Sequence, residues 1–180
     1  MQQLSLVTGA PGWIGTRFVE SLLHGGEGLA ASAERVRCLV HTSADSAALS
    51  HLGANVEIVQ GDVSAPESLD SFFRDAEDSI VFHLAGLIHP RRIRDLYSVN
   101  TAGTRNIAKG AIQAGARRVI YLSSNSPIGC NSSADDTFTE ESPYNPYMNY
   151  GRSKMLAELE IGKIRDEGEI ETVILRPCWF

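Results

Sequence analysis

At 180 residues, with 43% hydrophobic and 21% charged side chains, the chain suits one globular domain with enough mass to bury a substantial core. A net charge of −6 and a pI near 5.3 exclude the basic balance of a nucleic-acid or anionic-membrane binder, and the only local basic cluster is Arg91, Arg92 and Arg94. No apolar run approaches the ~20 residues of a membrane span, and the first strand-like run begins without the charged region and cleavage site of a signal peptide.

Short apolar runs then alternate with helix-length amphipathic segments. Residues 4–8 read as a strand ending in glycine, and 13–24 as a helix with Ile14, Phe18 and Leu22 on one stripe and Val19 and Leu23 beside it. A long small-residue connection, 25–34, leads to a second strand at 36–41, a short helix at 45–52 and a third strand at 56–60. Ser64-Ala-Pro-Glu67 has the form of a capping box opening a helix to about Asp75. A fourth strand at 79–84, a long helix at 92–114 and a fifth strand at 117–122 follow. The segment 125–147, rich in Ser, Asn, Asp and Pro, is a long loop of the kind that serves function or stays disordered. A helix at 149–166 and a sixth strand at 170–175 complete the series. Apolar strands each followed by a helix predict an α/β fold: a doubly wound, Rossmann-like parallel sheet with helices on both faces.

The first strand leads straight into "TGAPGWIG", with glycines at 9, 12 and 15. In a doubly wound fold this turn allows a tight bend, a close approach of the backbone to a pyrophosphate and close helix packing, with the free N–H groups of the helix start facing the phosphates. The spacing is GxxGxxG and not GxGxxG; a purely structural turn is the alternative, and the strand–turn–helix context favours phosphate. At the end of the second strand, where an acid would accept hydrogen bonds from an adenosine ribose, stand His41, Thr42 and Ser43, with no acid before Asp45. That favours NADP over NAD, although His41 also reads as a bystander at a strand end. In "YNPYMNYGRSK" only Tyr150 has a basic residue four positions on, Lys154, which a helix would place on the same face. Spacing alone fits equally a packed tyrosine beside a solvated lysine. Cys38, Cys130 and Cys178, odd in number and far apart, read as free thiols of a reducing cytoplasm, and neither they nor the histidines have metal-ligand spacing.

The glycine turn, "HLAG" at 83–86, "SVNTAGT" at 98–104, "SSNSPIG" at 123–129 and "YGRSK" at 150–154, in that order over almost the whole chain, resemble the extended short-chain dehydrogenase/reductases, which include nucleotide-sugar epimerases, dehydratases and many reductases. The resemblance implies a cofactor site made of Gly9, Gly12, Trp13, Ile14 and Gly15, with His41 at the ribose. Asp62 would meet the adenine amino group with Val63 beside the ring, and Leu84, Ala85 and Gly86 would leave room for the cofactor. It implies Tyr150 as the general acid/base, Lys154 both lowering the phenol pKa and holding the nicotinamide ribose, Ser124 on the reacting oxygen, and Asn100 organising a link to Lys154. A turn aspartate at 62, a solvent-facing Asn100, a self-satisfied Ser124 and a strand-end structural His83 are the plainer alternatives. Arg91, Arg92 and Arg94 read as a solvated helix start or as contacts to a substrate phosphate.

The sequence departs from the family pattern at Ile128, where a tyrosine is usual, and at Asn125-Ser126, where dehydratases carry Asp-Glu. Arg176-Pro177 resembles the family's "RP", after which members continue into a smaller substrate domain; residues 1–180 therefore read as the dinucleotide-binding domain, with that second domain absent. The implied activity is an NAD(P)-dependent oxidoreductase, moving hydride between nicotinamide and a hydroxyl- or carbonyl-bearing small molecule. A nucleotide-sugar epimerase with bound NAD is second, and a non-catalytic dinucleotide-binding module is the alternative of another class. The two long helices offer a surface for a homodimer, as in relatives; no nucleic acid, membrane or metal is expected.

Overall fold

The structure, a computed structural model, describes all residues except 1–3, 27, 29, 43, 45, 132, 134, 179 and 180. The apolar runs form six parallel strands: β1 (Leu4–Thr8), β2 (Arg35–Val40), β3 (Val56–Gln60), β4 (Ile80–His83), β5 (Arg118–Leu122) and β6 (Glu171–Leu175). Their order is β3-β2-β1-β4-β5-β6 in one sheet. β1 is central and every one of its residues is buried, whereas the edge strands β3 and β6 alternate between half-buried and exposed positions.

Side chains of successive strand residues point to opposite faces, so the sheet has two cores. On one face Leu4, Leu6, Val81, Val119 and Tyr121 pack with Ile107, Ala111, Ala157 and Ile161. On the other, Val7, Val36, Cys38 and Val40 meet Val19 and Leu22. Cys38 is buried there and its thiol is pushed up to about 12 by that burial, so it is an inert packing residue; all three cysteines are free thiols.

Helix α1 (Trp13–His24) spans the segment its apolar stripe predicts. Helix α2 is the short Ala47–Ser50; Ser43 and Asp45, weighed above as ribose selectors, lie outside the described residues. The capping box at Ser64 does not form. The Ser64 amide and hydroxyl both donate to Asp62 Oδ1, at 2.8 Å each, an Asx turn that takes the side chain a cap would need. A 3₁₀ turn (Pro66–Ser68) and the single-turn α3 (Asp70–Phe73) replace the expected helix. It stops short because the Arg37 guanidinium takes the Phe72 carbonyl at 3.1 Å and also that of Arg74, and Asp75 turns left-handed at φ 53°.

The long helix predicted at 92–114 is continuous but not uniform. α4 (Ile93–Leu96) runs into a π-helical segment, Tyr97–Gly103, and then α5 (Thr104–Gln113). The widened turn points Asn100 inward, and it is completely buried. α6 (Met148–Glu167) carries Tyr150 and Lys154 and ends on Gly168 in the left-handed conformation, as a helix C-terminus favours.

The reversal of strand order between β1 and β4 opens a crevice at the carboxyl ends of the strands. The chain leaves β1 at Gly9 with φ +86°, and a Cβ there would lie 2.6 Å from the Ala85 amide nitrogen. Gly15, on the first turn of α1, packs so closely that a Cβ would sit 2.5 Å from the Gly9 carbonyl oxygen. Gly15→Ala therefore has to push α1 off the turn: a loss of about 1–3 kcal/mol is expected, read as a lower urea midpoint at unchanged slope.

Candidate cofactor and active site

Two cavities share the crevice and meet at Gly86. The first, of about 580 Å³, is lined by the turn Gly9 to Gly12, by His41, by Asp62 and Val63, and by Ala85 and Gly86. The second, of about 300 Å³, is lined by Trp13, Ile14, Leu84, Gly86, Ser124, Tyr150, Lys154 and Pro177, and by Ile88, Leu122 and Cys178, which the motifs did not point to. Gly86 is the waist between them: a Cβ on it would lie 3.2 Å from Lys154 Nζ and 3.3 Å from Asn100 Oδ1. Of the residues singled out from the sequence for a cofactor, Gly15 alone lines neither cavity, because it is used in packing α1 against the turn.

In the larger cavity His41 Nε2 lies 3.5 Å from Asp62 Oδ2, an exposed ring facing a carboxylate one strand away. Burial acts to raise the Asp62 carboxyl, but the two Ser64 hydrogen bonds and His41 outweigh it and hold the group below its ordinary range. Asp62 is thus structured by its turn and still faces the cavity.

In the smaller cavity α6 supplies Tyr150 and Lys154 one turn apart. Helix and loop approach closely at Gly151, where a Cβ would lie 2.5 Å from the Ser126 carbonyl oxygen; that same carbonyl accepts from the Tyr147 amide at 2.9 Å. The approach places Ser124 and Tyr150 together on the cavity wall, where the Ser124 hydroxyl acts on the phenol. Ser124 also bonds within its own turn, to Ser126 Oγ at 3.1 Å and Asn125 Oδ1 at 3.4 Å.

Lys154 is buried and donates to the Leu122 carbonyl at 2.8 Å, with its ammonium 4.8 Å from the centre of the Tyr121 ring. Burial lowers its pKa to about 8, against the opposing charge of Glu158. The lowering of the Tyr150 phenol expected from Lys154 is not realised. Burial pushes that phenol above its ordinary value, the Ser124 hydrogen bond only partly offsets this, and the ammonium is aimed at Leu122 and Tyr121.

Asn100 does not face solvent. Its amide donates to the Leu87 carbonyl and to Ser153 Oγ, both at 2.9 Å, and its carbonyl accepts from the Leu87 amide at 2.8 Å, so it ties the segment after β4 to α6 through Ser153 and not through Lys154 itself. Arg91, Arg92 and Arg94 are exposed and line neither cavity. Ile128 is buried, so the family's usual tyrosine position here packs inward.

A polar chain invisible in the motifs runs beneath the crevice. The Ala85 amide donates to Thr8 Oγ1 at 3.2 Å, Thr8 Oγ1 pairs with His83 Nδ1 at 2.7 Å, and His83 Nε2 pairs with Thr104 Oγ1 at 3.0 Å. Thr104 gives its own proton to the Asn100 carbonyl, so it accepts from Nε2–H, and Nδ1 is the acceptor for Thr8. His83 is therefore a neutral structural link. Among the described residues no group of His, Cys, Asp or Glu is placed to hold a metal ion, and no helix is long and apolar enough to cross a membrane.

A parallel sheet in 321456 order with a glycine-turn crevice at its switch point defines a Rossmann-like dinucleotide-binding fold. Residues 5–180 match the pattern of the NAD dependent epimerase/dehydratase family, and the chain belongs to that family, the extended short-chain dehydrogenase/reductases. It is 42% identical to an uncharacterized protein, y4nL, of Sinorhizobium fredii, over 98% of this chain and 50% of that one. It is 31% identical to a UDP-glucose 4-epimerase of Vibrio cholerae, over 98% of this chain and 52% of the relative. Among solved structures, DesIV, a dTDP-glucose 4,6-dehydratase from Streptomyces venezuelae with NAD and TYD bound, superposes with a TM-score of 0.84 at 26% identity, covering 97% of this chain and 55% of that one. The chain thus spans about half the length of these relatives.

His83 makes the stability depend on pH. Burial and the Lys154 charge push its pKa down to about 3 from an ordinary value of 6.5, so between those limits only the unfolded chain takes up the proton. The contribution of His83 is complete above pH 6.5 and is lost as the pH falls toward 3. His83→Asn is expected to lower stability at pH 7 but to flatten the acid limb by about one proton, roughly 1.4 kcal/mol per pH unit, in urea unfolding measured from pH 7 to pH 4.

Proposed function

We propose that the chain is the cofactor-binding portion of an NADP-preferring reductase or dehydrogenase acting on a carbonyl or hydroxyl carbon of a small molecule. The observation that carries this reading is the convergence of Ser124, Tyr150 and Lys154 on one cavity that joins the glycine cradle at Gly86. The cradle fits a dinucleotide: Gly9, Gly12 and Gly86 line it, and at Gly86 a Cβ would lie 3.2 Å from Lys154 Nζ. Gly9, Gly12, Trp13, Ile14, His41, Asp62, Val63, Leu84, Ala85 and Gly86 would hold it, with Gly15 seating the helix. When bound, the nicotinamide supplies the hydride chemistry.

The chain's own residues supply position and protons. A phenol raised above its ordinary value is fully protonated at neutral pH, so Tyr150 is set to give its proton to an oxygen that is gaining negative charge. Ser124 can donate to that same oxygen, and Lys154 adds a positive charge at the cavity wall. These features suit carbonyl reduction. Asn100 holds α6 in place through Ser153.

The lean toward NADP rests on His41, which lines the cradle where an acid would otherwise select the ribose. The same-sized cleft also suits bound NAD, and the 31% identity to a UDP-glucose 4-epimerase keeps an epimerase as the second reading. The free thiols fit a cytoplasmic setting, and Leu159, 42% exposed on α6, fits a homodimer formed through the long helices.

Calorimetric titration of the chain with NADPH and with NADH tests this. Micromolar binding of NADPH, with NADH at least about tenfold weaker, is expected, and His41→Asp should narrow or reverse the ratio. Preference for NADH in the wild type would favour the epimerase. Binding of neither by a folded chain would refute the cofactor reading. Tyr150→Phe should retain cofactor affinity.

A further inference from the structure

Hydrogen-bond donors from three separate segments converge on one buried carboxylate, that of Glu158 on α6. Ser123 Oγ, at the end of β5, donates to Oε1. Tyr144, in the long loop before α6, donates to Oε2 at 2.9 Å. Arg176, just past β6, donates through Nη2 at 2.7 Å and through Nε at 3.1 Å. The Glu158 side chain has 0% exposure, and an isolated carboxylate there would cost several kcal/mol. No partner could be lost without leaving part of that charge uncompensated.

Ser123 lines the smaller cavity, and Tyr144 and Arg176 belong to segments bonded to its walls. Ser123 precedes Ser124 directly. Tyr144 anchors the loop whose Asn145 and Tyr147 amides bond the Pro127 and Ser126 carbonyls at 3.0 and 2.9 Å. Arg176 precedes Pro177, whose carbonyl accepts from the Asn125 amide at 3.0 Å and whose ring, with Cys178, lines the cavity. Residues 150, 154 and 158 follow one another at four-residue intervals, so Tyr150, Lys154 and Glu158 form one stripe on α6.

We propose that Glu158 is the positioning residue of this site: its carboxylate draws β5, the loop and the chain beyond β6 onto the helix that bears Tyr150 and Lys154, and supplies the negative charge that Lys154 answers. The proposal rests on the functional reading above. The charged and titratable groups facing Lys154 are His83 on β4, which is neutral, Tyr121 on β5, and Tyr150 and Glu158 on α6 itself; from the π-helical segment Asn100 is uncharged. Those facing Glu158 are Tyr144, Arg176, Tyr121 and Lys154. Glu158 is the carboxylate among these, and it opposes the burial that draws Lys154 toward neutrality.

The chain's lysines are Lys109, Lys154 and Lys163, so the Lys154 amine can be titrated by carbon NMR of lysine-labelled protein, assigned with Lys154→Arg. In the wild type a midpoint near 8 is expected. Glu158→Gln should lower it by about one pH unit, a tenfold loss of proton affinity, and Glu158→Asp should restore most of it. NADPH affinity should fall with rising pH about one unit earlier in Glu158→Gln than in the wild type. A folded Glu158→Gln with an unmoved Lys154 midpoint overturns the proposal and leaves Glu158 a structural anchor. Should that variant not fold, Arg176→Gln decides: with the guanidinium gone, Glu158 acts on Lys154 less compensated and the midpoint should rise, and an unchanged midpoint again overturns it. A wild-type chain that binds neither nicotinamide dinucleotide refutes the functional reading instead, since the Lys154 midpoint does not require cofactor.

Discussion

Parallel strands all leave the sheet at the same edge, and this one constraint organises the molecule. Six strands deliver six loops to that edge, and neighbouring loops part only where the strand order reverses, between β1 and β4. The gap is usable because glycines line it. Gly9 lies against Leu84 and Ala85, and Gly86 lies against Lys154 and Asn100. A larger residue at any of these points would fill the crevice before a ligand could. The cradle and the smaller cavity are thus two ends of one feature, set by topology and kept open by missing β-carbons.

Beneath this edge the protein buries polar groups that it must satisfy internally. The Thr8–His83–Thr104 chain stitches β1 and β4 to the π-helical turn, and Asn100 then stitches that turn to the segment after β4 and to α6. Farther along, Glu158 gathers Ser123, Tyr144 and Arg176. Both networks end on residues that line the site while themselves lying behind it. Buried polar groups of this kind are worth little as net stabilisation, but leaving one unpaired is costly, so they select one arrangement of the walls over others.

Much of this was legible in the sequence. The stripe from Ile14 to Leu23 and the apolar strands carry their own periodicity, and the glycine turn declares itself by following a strand directly. What was not legible arises where a local signal meets a competitor or a distant partner. Ser64 has the look of a cap, yet Asp62 two residues away captures its amide and hydroxyl. The π turn inserts an irregularity too small to disturb the pattern of 92–114, though it decides which way Asn100 points. Tyr150 and Lys154 are neighbours as their spacing requires, but spacing says nothing of where a flexible ammonium goes; once buried, it seeks the Leu122 carbonyl and the Tyr121 ring. Glu158 could have been found, as an acid four residues beyond Lys154 on the same stripe, but its partners are supplied by tertiary structure alone.

The electrostatics of the cavity bear on the proposed reduction. With the phenol raised and Lys154 near 8, both groups hold their protons at neutral pH, and the Ser124 hydroxyl adds a third donor. Such a wall stabilises oxygen that is acquiring negative charge, which is what a carbonyl oxygen does on reduction. Abstraction of a proton from an alcohol would need the phenolate instead, and so more positive charge at Tyr150 than Lys154 delivers from its place beside Leu122. The burial that raises Tyr150 therefore disfavours the phenolate that oxidation of an alcohol would use. In the proposed reading, Glu158 opposes the loss of the Lys154 proton and so sustains the positive charge that a reduction would use.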